Sequence, residues 1–186
     1  MTEERKRLLS QVCELFGKVV YSHKTHEKQI DILISNEKKW KWAQIISTVL
    51  TSTSYVTTLF TEAGYNKAGA TISIVLSIIS FAISMRFFVF NVDKDIESHK
   101  STAIELWDIR ESYLSLIVDL RDEKIDIEEI KKQRDLLQNK TKDVYSKEPR
   151  TTSKAYKQAR VALKINEELT FSKEELNVFL PKELQL

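Results

Sequence analysis

The chain has 186 residues, 42% of them hydrophobic and 30% charged, with a formal net charge of +2 from 29 Lys+Arg against 27 Asp+Glu. That length fits one domain, and the balance excludes a strongly basic nucleic-acid binder: cations and carboxylates interleave, with no basic stripe carrying aromatics. A single cysteine, Cys13, excludes an intramolecular disulfide framework and fits a reducing compartment, and no Cys/His spacing resembles a zinc site.

The mean hydropathy of -0.31 hides a nearly uncharged centre, Trp42 to Val92, between strongly charged flanks. Three Gly and two Pro argue for long helices rather than a sheet with many turns. Near the start, Arg5, Lys6 and Arg7 precede only the short, polar-interrupted run Leu8 to Val20, with no small-residue cleavage site. Insertion is therefore expected to rely on internal segments.

From Thr2 to about Ile34, Leu8, Val12, Leu15, Phe16, Val19, Tyr21, His23, Ile30 and Leu33 recur near helical spacing, which predicts a long amphipathic helix. Cys13 is expected as a small core residue on its apolar face. Tyr21, His23 and His26, with Lys24 between, read either as a pH or ligand sensor or, more simply for lone histidines, as a packed or solvated surface. The helix runs into Lys38, Lys39, Trp40, Lys41 and Trp42, a basic and aromatic cluster of the kind found at headgroup depth.

No charge occurs between Lys41 and Glu62, nor between Lys67 and Arg86. Each gap of about twenty residues is long enough to cross a hydrocarbon core of roughly 30 Å. The spans predicted are 42–61 and 68–90. The second is the more apolar; the first needs its partner. The connection Glu62-Ala63-Gly64-Tyr65-Asn66-Lys67 is short and carries turn residues, which makes the spans antiparallel neighbours with both termini on one side. Lys28, Lys38, Lys39, Lys41, Arg86, Lys94 and Lys100 flank the spans on that side against Lys67 at the tip, which places the termini in the cytoplasm.

After Asp93 a second amphipathic helix carries Ile96, His99, Ala103, Leu106, Ile109 or Arg110, Tyr113, Leu116, Ile117 and Leu120, with His99 as a packed position. Asp126 with Glu129, and Ile125 with Ile130, predict the start of a helix that runs to about Tyr145. Pro149 interrupts, and a helix from Thr152 to about Asn166 follows. Ser172 with Glu175 repeats the capping box, and Leu180-Pro181 closes the last short helix. The fold class is all-α, with regions 1–41, 42–92 and 93–186.

Two hydroxyl stripes are the candidate functional feature. Gln44, Ser47, Thr51, Ser54, Thr58 and Thr61 fall on one side of the first span, and Ser73, Ser77, Ser80 and Ser84 on one side of the second. Small hydroxyl residues allow close packing, so the stripes read as the seam of the hairpin. The first stripe also reads as the lining of a water-filled lumen between several hairpins, since Thr48, Ser52, Thr53 and Thr57 add hydroxyls beyond what one seam needs. Arg86 lies off the serine stripe near the cytoplasmic end, where snorkelling to headgroups is the simpler role than gating. No phosphate loop, nucleophile elbow or HExxH motif occurs, so no catalytic residues, no metal ligands and no cofactor are expected.

The order of features carries a resemblance: Tyr21-Ser22-His23-Lys24-Thr25-His26, two close spans, His99-Lys100-Ser101-Thr102-Ala103 with Leu106, Tyr145-Ser146-Lys147-Glu148-Pro149-Arg150-Thr151, Ala155-Tyr156-Lys157-Gln158-Ala159-Arg160, and Phe171-Ser172-Lys173-Glu174-Glu175 to Leu180-Pro181. In this the chain resembles the SLATT family of two-transmembrane effectors from bacterial conflict systems. The resemblance implies a homo-oligomeric, pore-forming antiviral effector of the bacterial inner membrane. It implies a trigger from an associated nucleotidyltransferase or reverse transcriptase, or its nucleotide signal. The alternative is a non-conducting anchor or scaffold that holds a partner at the bilayer; a third reading is a soluble helical bundle.

Overall fold

The computed structural model describes the backbone of residues 1–60, 67–123 and 125–185, and their side chains apart from those of 54–60 and 67–70. Among the described residues the chain is all-α, as its periodicity predicts. The helices are α1 (Glu3–Phe60), α2 (Lys67–Val89), α3 (Val92–Asp122), α4 (Ile127–Lys147), α5 (Ser153–Lys164) and α6 (Lys173–Phe179), followed by a 3-10 turn at Lys182–Leu184. α1 runs unbroken for 58 residues because no proline and one glycine, Gly17, fall within it. The turn expected at residues 62–66 lies outside the described residues.

Two compact units divide the chain: Met1–Ile30 with Ser98–Leu186, and Asp31–Glu97. The first half of α1 belongs to the first unit and its second half to the second. The lines at 41 and 92, drawn from charge, thus differ from the structural ones at 30 and 97.

The first unit is a helical bundle. Leu8, Val12 and Val19 of α1 meet Leu106, Ile109, Tyr113, Leu116 and Leu120 of α3, and Ile130, Leu137 and Val144 of α4. The sevenfold step in α4 keeps one narrow stripe on its partners. α5 buries only small residues, Ala155, Ala159 and Ala162. Cys13 is a correction: it is exposed, because it sits about 100° round the helix from Val12, beyond the edge of the buried stripe.

Helix ends are set by local chemistry. Asp126 caps α4 by accepting from Glu128 N–H, and Thr152 caps α5 by accepting from Ala155 N–H. Ser172 and Glu175 form the complete reciprocal box at α6. At the end of α3, Glu123 takes a left-handed φ of 57°. The buried Arg5 guanidinium donates to the carbonyls of Leu120 and Ile125 there, satisfying oxygens the helix leaves open.

The second unit pairs the second half of α1 with α2. Its buried positions are polar: Ser47 is 7% exposed and Ser73 6%. The apolar residues of α2 point outward, with Ile72, Ile74, Ile78 and Phe81 between 57% and 67% exposed. Among the described residues one helical run, beginning at Thr71, is long and apolar enough to cross a membrane, with a mean hydropathy of 2.2 in its most apolar window.

The core of the first unit sets a measurable expectation. Leu106→Ala removes a side chain with no exposure and is expected to cost about 2–5 kcal/mol. Leu136→Ala, at 58% exposed, is expected to stay within roughly 1 kcal/mol. Denaturant unfolding of the detergent-solubilised chain, followed by the first unit's helical signal, checks the contrast.

Candidate functional site

In the second unit the two hydroxyl stripes meet. Gln44 Nε2 reaches Ser80 Oγ at 3.4 Å, and Ser47, Ser73 and the half-buried Thr51 and Ser77 lie on the inward sides of their helices. Ser84 is exposed. Ser54, Thr58 and Thr61 lie outside the residues whose side chains are described. Most of the hydroxyls donate back to their own helix: Thr48 and Ser47 to Gln44 O, Thr51 to Ser47 O, Ser77 to Ser73 O, Ser84 to Ser80 O. Such bonds satisfy the hydroxyl whatever it faces. The Gln44 side-chain oxygen is buried without a hydrogen-bond partner.

At one end of the same unit Arg86 pairs with Glu37 at 3.1 Å, and its guanidinium lies 4.9 Å from the Trp40 ring centre and 5.3 Å from that of Phe87. The interface candidates are thus partly joined. Trp40 and Arg86 are in contact, while Trp42, Lys38, Lys39 and Lys41 are exposed around them. Periodicity places Arg86 off the serine stripe, but its side chain is only 20% exposed. The ion pair with Glu37, a residue 49 positions away, accounts for that, and no spacing rule signals it.

The first unit holds a polar cluster that sequence reasoning left as separate histidines. His23, Lys24, Thr25, His26 and Gln29 of α1 are all buried. His26 Nδ1 stands 2.9 Å from His99 Nδ1 of α3, and His26 Nε2 3.2 Å from a Glu148 carboxylate oxygen. Two facing ring nitrogens require one donor and one acceptor. With Glu148 accepting from His26 Nε2–H, His26 Nδ1 is the acceptor and His99 Nδ1–H the donor. The chain His99, His26, Glu148 is therefore consistent with a neutral pair of rings. His23 Nε2 lies 3.7 Å from Glu27, and its buried Nδ1 has no partner.

Neighbouring contacts lock the cluster into the bundle. Gln29 Oε1 accepts from both the backbone N–H and the hydroxyl of Thr152, the cap of α5. Buried Lys24 pairs with Glu27 at 2.7 Å and Glu168 at 2.9 Å, and Lys28 joins Glu168 at 3.1 Å. Glu168 is brought there by the close of α5, where its N–H bonds Ala162 O and Glu167 has a φ of 54°. The Tyr21 and Tyr156 rings lie 6.1 Å apart. Beside them a cleft of about 630 Å³ is lined by Lys18, Tyr21, Ser22, Thr25, His26, Glu148, Thr151 and Tyr156 among others.

Burial sets the titration of these groups. Desolvation, then electrostatic repulsion from the neighbouring His99 and His23 imidazoles, pushes His26 down from 6.5 to about 4. Desolvation lowers His23 as well, and raises Glu148. Glu168 is held at about 2 by hydrogen bonds from Lys24 and Lys28. Burial acts to lower Lys24, but its hydrogen bonds to Glu27 and Glu168 prevail and raise it. Among the described residues no group of three or more His, Cys, Asp or Glu is placed to hold a metal ion.

The cluster gathers four of the motif segments on which the resemblance rests: 21–26, 99–103, 145–151 and 155–160 each contribute a residue to it or to its cleft. A family model described as the SMODS and SLOG-associating 2TM effector domain family 4 matches residues 8–175. Neither a curated protein nor a solved structure matches the chain.

The cluster makes stability depend on acid. His26 titrates lower in the fold than in the unfolded chain, so between about pH 6.5 and 4 the unfolded chain binds more protons and stability falls as pH falls. His26 contributes up to about 3 kcal/mol of that loss, His23 adds to it, and the raised Glu148 carboxyl opposes it. Melting the first unit between pH 7.5 and 4.5 is expected to show a falling midpoint in the wild type and a flatter profile in His26→Gln. Equal slopes would remove His26 from the account.

Proposed function

Because the chain belongs to the SLATT family, the SMODS and SLOG-associating 2TM effector domains, we propose that it is a membrane-embedded, homo-oligomeric pore-forming effector of a bacterial anti-phage or conflict system. Triggering opens the pore and permeabilises the inner membrane. The observation that carries the membrane part is the outward apolar surface of α2, with Phe81 at 67% and Phe88 at 89% exposed, which no protein surface within its unit covers. Lipid is the solvent that fits it. The excess of Lys and Arg on the flanks of the hairpin supports two spans with both termini cytoplasmic.

The pore part rests on the seam. Gln44, Ser47 and Thr51 face α2 in the single chain, and the Ser47 and Thr51 hydroxyls donate to their own helix backbone, bonds that parting the helices leaves intact. We assign the lumen of the open assembly to this stripe, continued by Ser54, Thr58 and Thr61, with Ser73, Ser77, Ser80 and Ser84 as the packing face. The buried, partnerless Gln44 oxygen supports this, because an unpaired buried acceptor costs about 1–3 kcal/mol and water in a lumen would relieve it. The chain acts without chemistry of its own. Membrane lipids and other copies are its direct partners. Its signal is a nucleotide or a protein from an associated nucleotidyltransferase or reverse transcriptase, read by the first unit. α1 and α3 connect that unit directly to the spans, so a change in helix packing there reaches the hairpin through continuous chain.

Expression in bacteria with a membrane-impermeant dye tests the reading. The wild type is expected to admit dye on triggering or overexpression, and Ser47→Leu with Thr51→Leu to insert, as judged by carbonate extraction, while leakage falls to the empty-vector level. A wild type that inserts and never leaks would establish the anchor instead. Release by carbonate would remove both.

A further inference from the structure

We propose that the outward side of α3 is a subunit interface, on which α3 of a second copy packs in parallel along Ile104, Trp107, Glu111, Leu114 and Val118. These positions are spaced three, four, three and four residues apart, the a/d spacing of a coiled-coil seam. Apart from Glu111 and Leu114, which edge a cleft shared with Phe16, Val20, Leu163 and Leu169, they lie away from the face that holds the first unit together. Leu106, Ile109, Tyr113 and Leu116 are at most 3% exposed and centre about 160° round the helix from the seam. Ile104 at 59%, Trp107 at 50%, Leu114 at 44% and Val118 at 52% remain exposed. A helix that is apolar over both sides is built to be covered on both.

Three observations select a second α3 as the cover. The spacing is that of a helix partner, since a flat protein surface or a bilayer asks for a broader face. Charged residues line the stripe, with Glu105 and Asp108 beside it, which disfavours hydrocarbon as its solvent. Charge complementarity is the third. Glu111 occupies an a position and Arg110 precedes it, bonding its carboxylate at 2.6 Å and 2.8 Å. In parallel knobs-into-holes packing, the residue before an a position walls the hole that receives the a knob from the other helix. Each Glu111 is therefore received beside Arg110 of the second copy, giving two symmetric ion pairs at the middle of the seam. A polar residue at one a position fixes register and strand number. Ile104 to Val118 spans about 21 Å of helix.

The proposal rests on the homo-oligomeric reading above, which supplies the second copy of α3. The test uses the full chain in detergent or nanodiscs, with the exposed Cys13 changed to Ser. Single Ile104→Cys, Val118→Cys and Glu105→Cys variants are oxidised with copper phenanthroline, and the mass of the unoxidised complex is measured by light scattering. Disulfide dimers are expected several-fold more abundant at 104 and 118 than at 105. In the same assembly Arg110→Glu is expected to reduce the Ile104→Cys cross-link, and adding Glu111→Arg to restore it. An oligomer in which 104 and 118 cross-link no better than 105 overturns the α3 seam and leaves the homo-oligomer standing. Cross-linking of Ile104→Cys to a Val178→Cys copy would overturn it too, by assigning the face to the C-terminal helix. A monomer in light scattering removes both.

Discussion

The apolar surface that α2 turns outward sets the terms for the rest of the chain. Ile72, Ile74, Ile78, Phe81 and Phe88 are each more than half exposed, and each side chain of this kind held in water instead of an apolar medium costs about 1.5–3 kcal/mol. Nothing in the second unit offsets that, because the face α2 gives to α1 is its serine face. A soluble two-helix hairpin does the opposite, burying its aliphatic residues and wetting its serines. The inversion is what lipid demands: between apolar helices in hydrocarbon there is no hydrophobic drive, so small residues that permit close approach form the contact.

The first unit obeys the rules of water, with one exception. Its core of Leu8, Val12, Leu106, Tyr113, Leu120 and Ile130 is an ordinary apolar interior. Beyond Val19, α1 changes character and buries His23, Lys24, Thr25, His26 and Gln29. Buried polar groups specify geometry sharply, since each donor admits few partners and a missing one is costly. Here they fix which residues of α3, of the joint after α4 and of the cap of α5 may lie against α1. His26 and His99 admit a single proton between their facing nitrogens. A second proton would set two N–H donors face to face 2.9 Å apart, one of them on a charged ring, and load the contact between α1 and α3, the helices that lead to the spans.

Local chemistry was legible from the residues. The Ser172 and Glu175 box, the cap at Asp126, the helix start at Thr152 and the long helices all follow from short-range rules about caps and period, and the structure places them accordingly. What escaped was pairing at long range. His26 and Glu148 are 122 positions apart and Arg86 and Glu37 are 49; periodicity assigns a residue to a side of a helix but not to a partner. Cys13 escaped for a finer reason: the buried stripe of α1 is narrow, and a residue one position from Val12 falls outside it. The resemblance held more of this than the periodicity did, because four of its motif segments converge on His26 and the cleft beside it.

The hydroxyls of the first span bear on how such a hairpin changes state. A membrane helix pair joined by interhelical hydrogen bonds resists separation, since each broken bond strands polar groups in hydrocarbon. Thr51 and Ser77 instead donate to carbonyls of their own helices, bonds that parting the helices would not break. Gln44 departs from the pattern, with one long bond to Ser80 and one oxygen left unpaired. Among the described residues the seam thus carries a buried polar oxygen, that of Gln44, that would gain from water. On the pore reading proposed above, a signal that biases the packing of α1 and α3 acts on that seam, and it shifts the population only by its differential affinity for the closed and open states.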